Sequence, residues 1–258
     1  MQKPQLDLDT LGICDIHIHV GHFRGLYFTP QDIVDAMRFL RVKRWAVSST
    51  STCAYVGGYD MACNELKKII ELAPYEAIPI LWLTPDMIIE SPDLCKYKEI
   101  QYRMLKVHGF SHDWHASDNL LEKVFIVAQN RNLPVLIHTG GRPESNAGRY
   151  AAISKNHPNV TVVLAHGRPI DETIMVMKQC QNVLVDTAFM PIEDMHELIK
   201  AKLETRIVFG SDYPLDSYFD PENSALNRYS ERIKKLGNIF GEDLLSIWAA
   251  HNFAAIFK

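Results

Sequence analysis

Eight short apolar runs, each followed by a longer stretch with helical spacing, occupy a chain of 258 residues, and ionisable side chains stand at the ends of several of those runs. These three observations predict an α/β fold, a (β/α)8 TIM barrel forming one domain over residues 1–258. Strands and helices alternate in such a barrel, about 250 residues is its usual size, and its reactive groups collect at the C-terminal ends of the strands. Hydrophobic residues at 47% and charged ones at 22% are ordinary globular proportions, which excludes a disordered chain. The formal net charge of −4, with both signs interspersed, leaves no footprint for nucleic acid or an anionic membrane surface. No run approaches the roughly eighteen consecutive apolar residues of a membrane helix. The five cysteines, Cys14, Cys53, Cys63, Cys95 and Cys180, are odd in number and scattered, and none forms a Cys-x-x-Cys pair. They predict reduced thiols and a cytoplasmic protein. The expected partner is a small-molecule substrate, without nucleic acid or membrane, and the composition is compatible with a homo-oligomer.

Taken in order, the first strand is Ile13 to Gly21, and a helix follows from Pro30 to Leu40 with Thr29 as N-cap and Pro30 at its first position. Arg44 to Thr50 is the second strand, and Tyr59 to Ala73 is helical by the spacing of Met61, Leu66, Ile69 and Ile70. Ala77 to Thr84 is the third strand. A shorter helix over Pro92 to Gln101 leads to the fourth, Tyr102 to His108. A helix over Asn119 to Asn130, capped by Ser117 or Asp118, precedes the fifth strand, Leu133 to Thr139. Arg149 to Asn156 is helical, Val160 to His166 is the sixth strand, and Ile170 to Gln179 is the next helix. Val183 to Thr187 is the seventh strand, Pro191 to Leu203 a helix, and Arg206 to Asp212 the eighth strand. Two helices, Ser224 to Leu236 and Gly241 to Phe257, close the chain.

Residues two apart on a strand share a face, so His17 and His19 project together, and two adjacent imidazoles are half of a metal site. His-x-His alone is weak evidence in a chain with eleven histidines. The rest of the pattern strengthens it: Lys106 and His108 end the fourth strand, His138 the fifth, His166 the sixth and Asp212 the eighth. Alternation places His166 on the face of Val162 and Leu164, and Asp212 on that of Val208 and Gly210, both assigned to the barrel interior. Taken singly, each residue has an ordinary structural explanation: a hydrogen-bonded strand-end histidine, a turn-forming aspartate, a solvated lysine. Their joint occurrence at one rim points to a metal site. Arg142, Arg149 and Arg168 follow strand ends and offer planar forks for a carboxylate or phosphate, or pair with Glu144 or Asp171. His22, Phe23, Arg24 and Tyr27, with His112, Trp114 and His115, are candidates for another wall of the pocket. His157, His196 and His251 read as structural or surface residues.

The order His17-x-His19, Lys106, His138, His166 in Leu164-Ala165-His166-Gly167 and Asp212 in Gly210-Ser211-Asp212-Tyr213-Pro214 resembles the amidohydrolase superfamily. More narrowly, it is similar to the amidohydrolase-related branch that contains the aminocarboxymuconate semialdehyde decarboxylase-like proteins. The resemblance extends over the chain, including Val183-Leu184-Val185-Asp186-Thr187 and the closing Asn252-Phe253-Ala254-Ala255-Ile256-Phe257. It implies a divalent ion, zinc first with Mn2+ or Fe2+ as alternatives, held by His17, His19, His138 and Asp212 with water in the open position. Such an ion lowers the pKa of its water from about 15.7 to about 7. Asp212 then serves as general base and acid, and His166 beside the metal polarises substrate or water. One ion rather than two is expected, with an unmodified Lys106 facing substrate; a carbamylated Lys106 bridging two ions is the alternative. Lys106, His108, Arg142 and Arg168 are the expected substrate-binding residues. The activity implied is hydrolysis of an amide, cyclic amide or ester/lactone bond in a small anionic substrate. The alternatives are non-oxidative decarboxylation of an unsaturated or aromatic acid and a non-catalytic barrel with a structural metal.

Overall fold

In the computed structural model, which describes residues 11–55, 57–112, 114 and 118–258, β1 (Cys14–Phe23) starts the barrel and turns back on itself through β2 (Leu26–Phe28). From β1 the sheet runs in parallel order through β3 (Arg44–Ser49), β4 (Ala77–Trp82), β5 (Met104–His108), β6 (Val135–His138), β7 (Val162–Ala165), β8 (Val183–Asp186) and β9 (Ile207–Val208). Backbone bonds bring the two ends of this sheet together. The Ile16 N–H donates to the Phe209 carbonyl at 3.0 Å, Asp212 N–H to His17 at 2.8 Å and His19 N–H to Tyr213 at 2.8 Å. The eight parallel strands form the expected TIM barrel, with β2 as an added antiparallel edge. The β1–β2 hairpin was absent from the sequence expectation because its strand is three residues long. Its turn is nevertheless written in the chain: Arg24 and Gly25 take φ of 47° and 86°, the pair of positive values that a two-residue hairpin turn demands.

Helices cover the outside of the sheet. Pro30–Phe39 is capped as expected, the Thr29 hydroxyl accepting the Asp32 N–H at 3.1 Å. Tyr59–Leu72, Asp118–Arg131, Ile170–Gln179, Ile192–Lys200 and Ala225–Phe240 follow the predicted segments with small changes of boundary. The expected helix at Pro92 to Gln101 is not formed. The helix of that unit is Pro85–Glu90, with Thr84 as cap. Leu94 sits at φ 57°, incompatible with a helix, and the Asp93 carboxylate accepts the Cys95 N–H at 3.0 Å, a local bond that competes with helical ones. Ser117 and His115 lie outside the described residues. The last predicted helix is divided into Glu242–Ser246, a wider turn at Ile247–His251 and Asn252–Ile256. At that turn the Trp248 carbonyl accepts the Phe209 N–H at 2.9 Å and so braces the end of β9.

Two apolar layers result. One lies between sheet and helices, where Val47, Val107, Ile137, Leu164 and Val185 meet the helical stripes. The other fills the barrel interior with Ile16, Ala46, Ile80, Met104, Leu136, Val163 and Val208, and Phe253, Ile256 and Phe257 from the C-terminal segment pack into it. Arg44, at the start of β3, lies with its guanidinium 5.8 Å from the Phe253 ring. The C-terminal segment therefore plugs the N-terminal end of the barrel and leaves the opposite mouth open. Among the described residues no helix is long and apolar enough to cross a membrane. Truncating the plug tests its role. Phe253→Ala is expected to cost about 3–5 kcal/mol, read as a lower midpoint in urea unfolding.

Candidate active site

The site begins with an irregularity in β1. Asp15 pairs with Trp45 and Ile18 with Val47, so β1 spends one more residue than its partner between these points, a β-bulge. Before the bulge Cys14 and Ile16 face the barrel interior; after it Ile18 and Val20 face the helices. This change of parity turns His17 and His19 together into the mouth. The bulge is held by the buried Asp15 carboxylate, whose Oδ1 accepts the N–H groups of His17 at 2.9 Å and Ser211 at 3.2 Å.

Asp212 arrives from the loop after β9 on the interior side, as Val208 predicts. His166 does not follow the expected alternation. Val163 and Ala165 face the interior and Val162 and Leu164 the helices, so a continued strand would turn His166 outward. A left-handed backbone at φ 70° brings it into the mouth instead, and Asp212 takes a similar conformation at φ 62°. Such conformations cost free energy in non-glycine residues and persist where the surroundings enforce them. Here Asp186 does so for His166, accepting its N–H at 2.8 Å through Oδ1 and that of Ala188 at 3.0 Å.

His17, His19 and Asp212 offer ligand atoms that all lie within 4.8 Å of one another. His17 Nδ1 donates to Asp186 Oδ2 at 2.8 Å, which leaves its Nε2 turned to Asp212 Oδ1 at 3.0 Å. His19 Nδ1 lies 3.1 Å from the Ser48 hydroxyl and 3.3 Å from the Ser48 carbonyl, with Nε2 2.9 Å from the same Asp212 oxygen. Two imidazole nitrogens and a carboxylate oxygen therefore converge, each imidazole oriented by a bond at its far nitrogen, the arrangement that metal ligands require. The Lys106 amine enters the same cluster, 2.7 Å from His17 Nε2 and 3.2 Å from His19 Nε2, with its charge 4.6 Å from the Trp82 ring. Gly210 makes this convergence possible, since a Cβ there would come within 3.1 Å of both His17 and Asp186.

His138 stands outside that group of three and belongs to a second chain of rings. His166 Nδ1 donates to the Ala188 carbonyl at 3.0 Å, and its Nε2 lies 3.1 Å from His138 Nδ1. With His166 Nε2 as acceptor, His138 donates through Nδ1 and keeps a lone pair on Nε2. His108 stacks between His138 at 3.9 Å and Trp82 at 4.9 Å, and its Nδ1 accepts the Ser111 N–H at 3.0 Å. The electrostatics leave most of these imidazoles without a proton, so that their lone pairs are free. Burial drives His138 and His108 well below the usual imidazole range, helped at His108 by His138 and then Lys106, and at His138 by His166 and then Lys106. Burial takes His166 down to about 4, and burial with Lys106 takes His19 to about 3. His17 moves up: burial and Lys106 oppose its proton, but Asp212 and Asp186 outweigh them. Burial opposes the charge on Asp212, yet His17 and His19 hold it well below the carboxylate range. Burial lowers Lys106 to about 8 against the pull of the same two aspartates.

The cluster opens into a cavity of about 550 Å3 lined by His19, Lys106, His108, His138, His166 and Asp212, with an apolar wall that includes Trp82, Phe110 and Phe189. Arg168 lines it as expected. Arg142 does not: it is exposed, its guanidinium 4.7 Å from the Phe110 ring, and the chain turns at Gly140 and Gly141 before reaching it. Arg24 and Phe23 line the cavity, whereas His22 stacks on Tyr27 outside it. The tryptophan on the cavity lining is Trp82 rather than Trp114. His157, predicted to be structural, is bonded to Glu122 at 2.8 Å. Asp186 was missed as a functional residue, although its place at a strand end on the interior side, two residues beyond Leu184, was a usable signal.

Residues 96–236, more than half of the chain, match the amidohydrolase family model, and the chain belongs to the amidohydrolase family. The matched span carries Lys106, His138, His166, Asp186 and Asp212. No curated protein matches the chain. Its fold is similar to that of a probable 2-pyrone-4,6-dicarboxylic acid hydrolase from Acinetobacter baumannii solved with citric acid bound, at a TM-score of 0.68 and 10% identity, covering 95% of this chain and 99% of that one. It is also similar to an amidohydrolase from Burkholderia multivorans with bound zinc (TM-score 0.63, 12% identity, 95% and 98% covered). A third similar structure is a dihydroorotase from Campylobacter jejuni (TM-score 0.60, 14% identity, 95% and 83% covered). These likenesses establish the TIM barrel, and the family makes the protein an enzyme of hydrolase type.

Asp186→Asn retains the shape of the residue and removes the charge that orients His17. It is expected to weaken binding of a divalent ion at the His17, His19 and Asp212 cluster about 10–100-fold with an unchanged circular dichroism spectrum, measured by metal titration against a competing chelator.

Proposed function

We propose that the protein is a metal-dependent hydrolase that cleaves an amide, cyclic amide or ester/lactone bond of a small anionic substrate. The observation that carries this reading is the convergence of His17, His19 and Asp212 at the open mouth of the barrel, with Asp186 and Ser48 fixing both imidazoles from behind. The donor set fits zinc, which takes imidazole nitrogen and carboxylate oxygen, and His138 is the fourth ligand proposed. When bound, the ion would supply Lewis acidity and a water activated near neutral pH.

The chain's own groups do the rest. Asp212 is ionised and faces the cavity, so it can accept a proton from the attacking water and return it to the leaving group. His166 has both ring nitrogens engaged and acts on the reacting groups through His138. Lys106 and His108 line the cavity and contact the substrate, and Arg168 supplies an anion-binding fork. The zinc-bound and citric acid-bound relatives support a metal and an anion in this fold. Free thiols at all five cysteines accord with a cytoplasmic location, which we propose as well.

His17→Ala and Asp212→Asn are each expected to lower turnover of a lactone and cyclic-amide panel at least about 1,000-fold, an effect of the size seen when a central catalytic group is removed, while the protein stays folded. Undiminished hydrolysis in either variant, or carbon dioxide release in place of water addition, contradicts the reading. Chelation followed by metal analysis is the second test. Activity should disappear with the metal and return with one equivalent of zinc per chain, and Lys106→Ala should still bind that equivalent. Two equivalents in the native protein, reduced by Lys106→Ala, would show a binuclear site.

A further inference from the structure

The end of β1 and the turn after β3 meet over a buried carboxylate that the proposed reaction does not use. Glu65 lies on the inward stripe of the helix Tyr59–Leu72, with Ala62, Leu66 and Ile69, and is 5% exposed. Its Oε2 accepts the Ser49 hydroxyl at 2.5 Å and its Oε1 the Ser51 hydroxyl at 2.8 Å. Among the described residues it has no ion-pair partner, so these hydroxyls carry the cost of burying it. A leucine would fill the same stripe without that cost, so packing alone does not explain the carboxylate.

The two serines hold more than Glu65. Ser49 Oγ also accepts the Ser51 N–H at 3.0 Å, and Ser51 Oγ accepts the His22 N–H at 3.1 Å. Between them Thr50 directs its N–H, at 2.9 Å, and its hydroxyl, at 3.0 Å, to the Val20 carbonyl. One carboxylate thus ties the corner at residues 49–51 to residues 20–22 at the end of β1. Gly21 fits against it at φ 99°, where a Cβ would come within 2.6 Å of both Glu65 Oε2 and Ser51 Oγ. One step before this corner the parallel register sets His19 beside Ser48, as it sets Val20 beside Ser49. The Ser48 hydroxyl and carbonyl meet His19 Nδ1 at 3.1 and 3.3 Å. A hydroxyl donates or accepts and a carbonyl accepts, so Ser48 serves His19 whichever ring nitrogen carries the proton.

We infer that Glu65 is a positioning residue for His19: by holding Ser49 and Ser51 it sets the β3 corner against the end of β1 and keeps the Ser48 groups aligned with His19 Nδ1. This rests on the hydrolase reading, which makes His19 a metal ligand, and adds a buried carboxylate behind that ligand as Asp186 stands behind His17. The two supports differ in kind. Asp186 touches its imidazole and brings charge to it, whereas Glu65 acts through two serines and a backbone corner and supplies geometry. Metal donors must be held to about 0.5 Å, and a corner without its anchor would not hold His19 that closely.

Zinc affinity, measured against a competing chelator, and the ring-nitrogen NMR signals of His19 in the metal-free protein test this without requiring turnover. Glu65→Leu should weaken zinc at least about tenfold, the loss that follows when a ligand's support is removed, and should move the His19 signals more than those of His17. Glu65→Gln, whose amide oxygen accepts one hydroxyl while its NH2 donates to the other, should keep zinc affinity within about threefold of the native protein. Ser51→Ala, which leaves the carboxylate and removes one of its links, should move the same signals with a smaller loss of affinity, and it decides the matter if Glu65→Leu does not fold. Phe253→Ala, which loosens the barrel from its opposite end, should leave zinc affinity unchanged. Native affinity and unmoved His19 signals in the folded variants overturn the inference, as does an equal loss of affinity in Phe253→Ala. The hydrolase reading fails by a separate result: the His19 signals move as described, but the native protein binds no zinc or hydrolyses no lactone or amide.

Discussion

A single buried carboxylate, Asp186, carries the site. Its Oδ2 holds His17 Nδ1 and its Oδ1 receives the N–H groups of His166 and Ala188, so one side chain at the end of β8 fixes a ring on β1 and the turn after β7. Removing a carboxylate from water is expensive, and burial alone would drive the pKa upward. Here His17 and the backbone donors more than offset that cost, and the group stays below its usual range. The charge is thereby fixed beside the histidines, which stabilises positive charge at His17 Nε2 whether it arrives as a proton or as a metal ion. Gly210 belongs to the same device, since a Cβ there would press on the Cβ atoms of both Asp186 and His17 at 3.1 Å.

The two ends of the barrel divide stability from chemistry. Phe253, Ile256 and Phe257 complete the interior packing at one end, so the apolar residues of β3 to β9 form a filled core rather than a channel. At the other end the interior positions of β1, β5, β6 and β8 are His17, His19, Lys106, His138 and Asp186, polar groups whose costs of burial are met by one another. Only a rigid lower layer can hold these groups at hydrogen-bond distances while their charges favour other arrangements.

Much of this was legible in the chain because periodicity and strand-end position are local signals. The eight parallel strands, the placement of Lys106, His138 and Asp212, and the pairing of His17 with His19 follow from alternation and spacing. What could not be read was any departure from alternation. The bulge in β1 adds one residue without a glycine to mark it, and His166 reaches the mouth through a left-handed residue that parity alone would turn outward. Asp186 looked like the end of an ordinary apolar strand because its role depends on partners about 20 and 169 positions away along the chain. The arginines show the limit from the other direction. Arg142 and Arg168 both follow strand ends, but two glycines intervene before Arg142 and place it outside the cavity, while Arg24, expected on the pocket wall, does line it. The missing helix at Pro92 to Gln101 has the same origin, a single residue, Leu94, in a backbone conformation that its side chain does not announce.

The balance of charge in the mouth links the metal to the kind of molecule the cavity admits. Asp186 and Asp212 are both ionised and buried, and a protonated Lys106 offsets one of them, so with every imidazole neutral, as ligation requires, the cluster carries one net negative charge. One divalent ion reverses the sign and leaves a single positive charge, facing a cavity of phenyl rings in which Coulomb interactions are screened far less than in water. Two such ions would leave three, unless Lys106 gave up its proton and took on a negative group. One ion beside an unmodified lysine and two ions bridged by a carbamylated one would therefore leave the same single positive charge, which one negative charge on a substrate would balance.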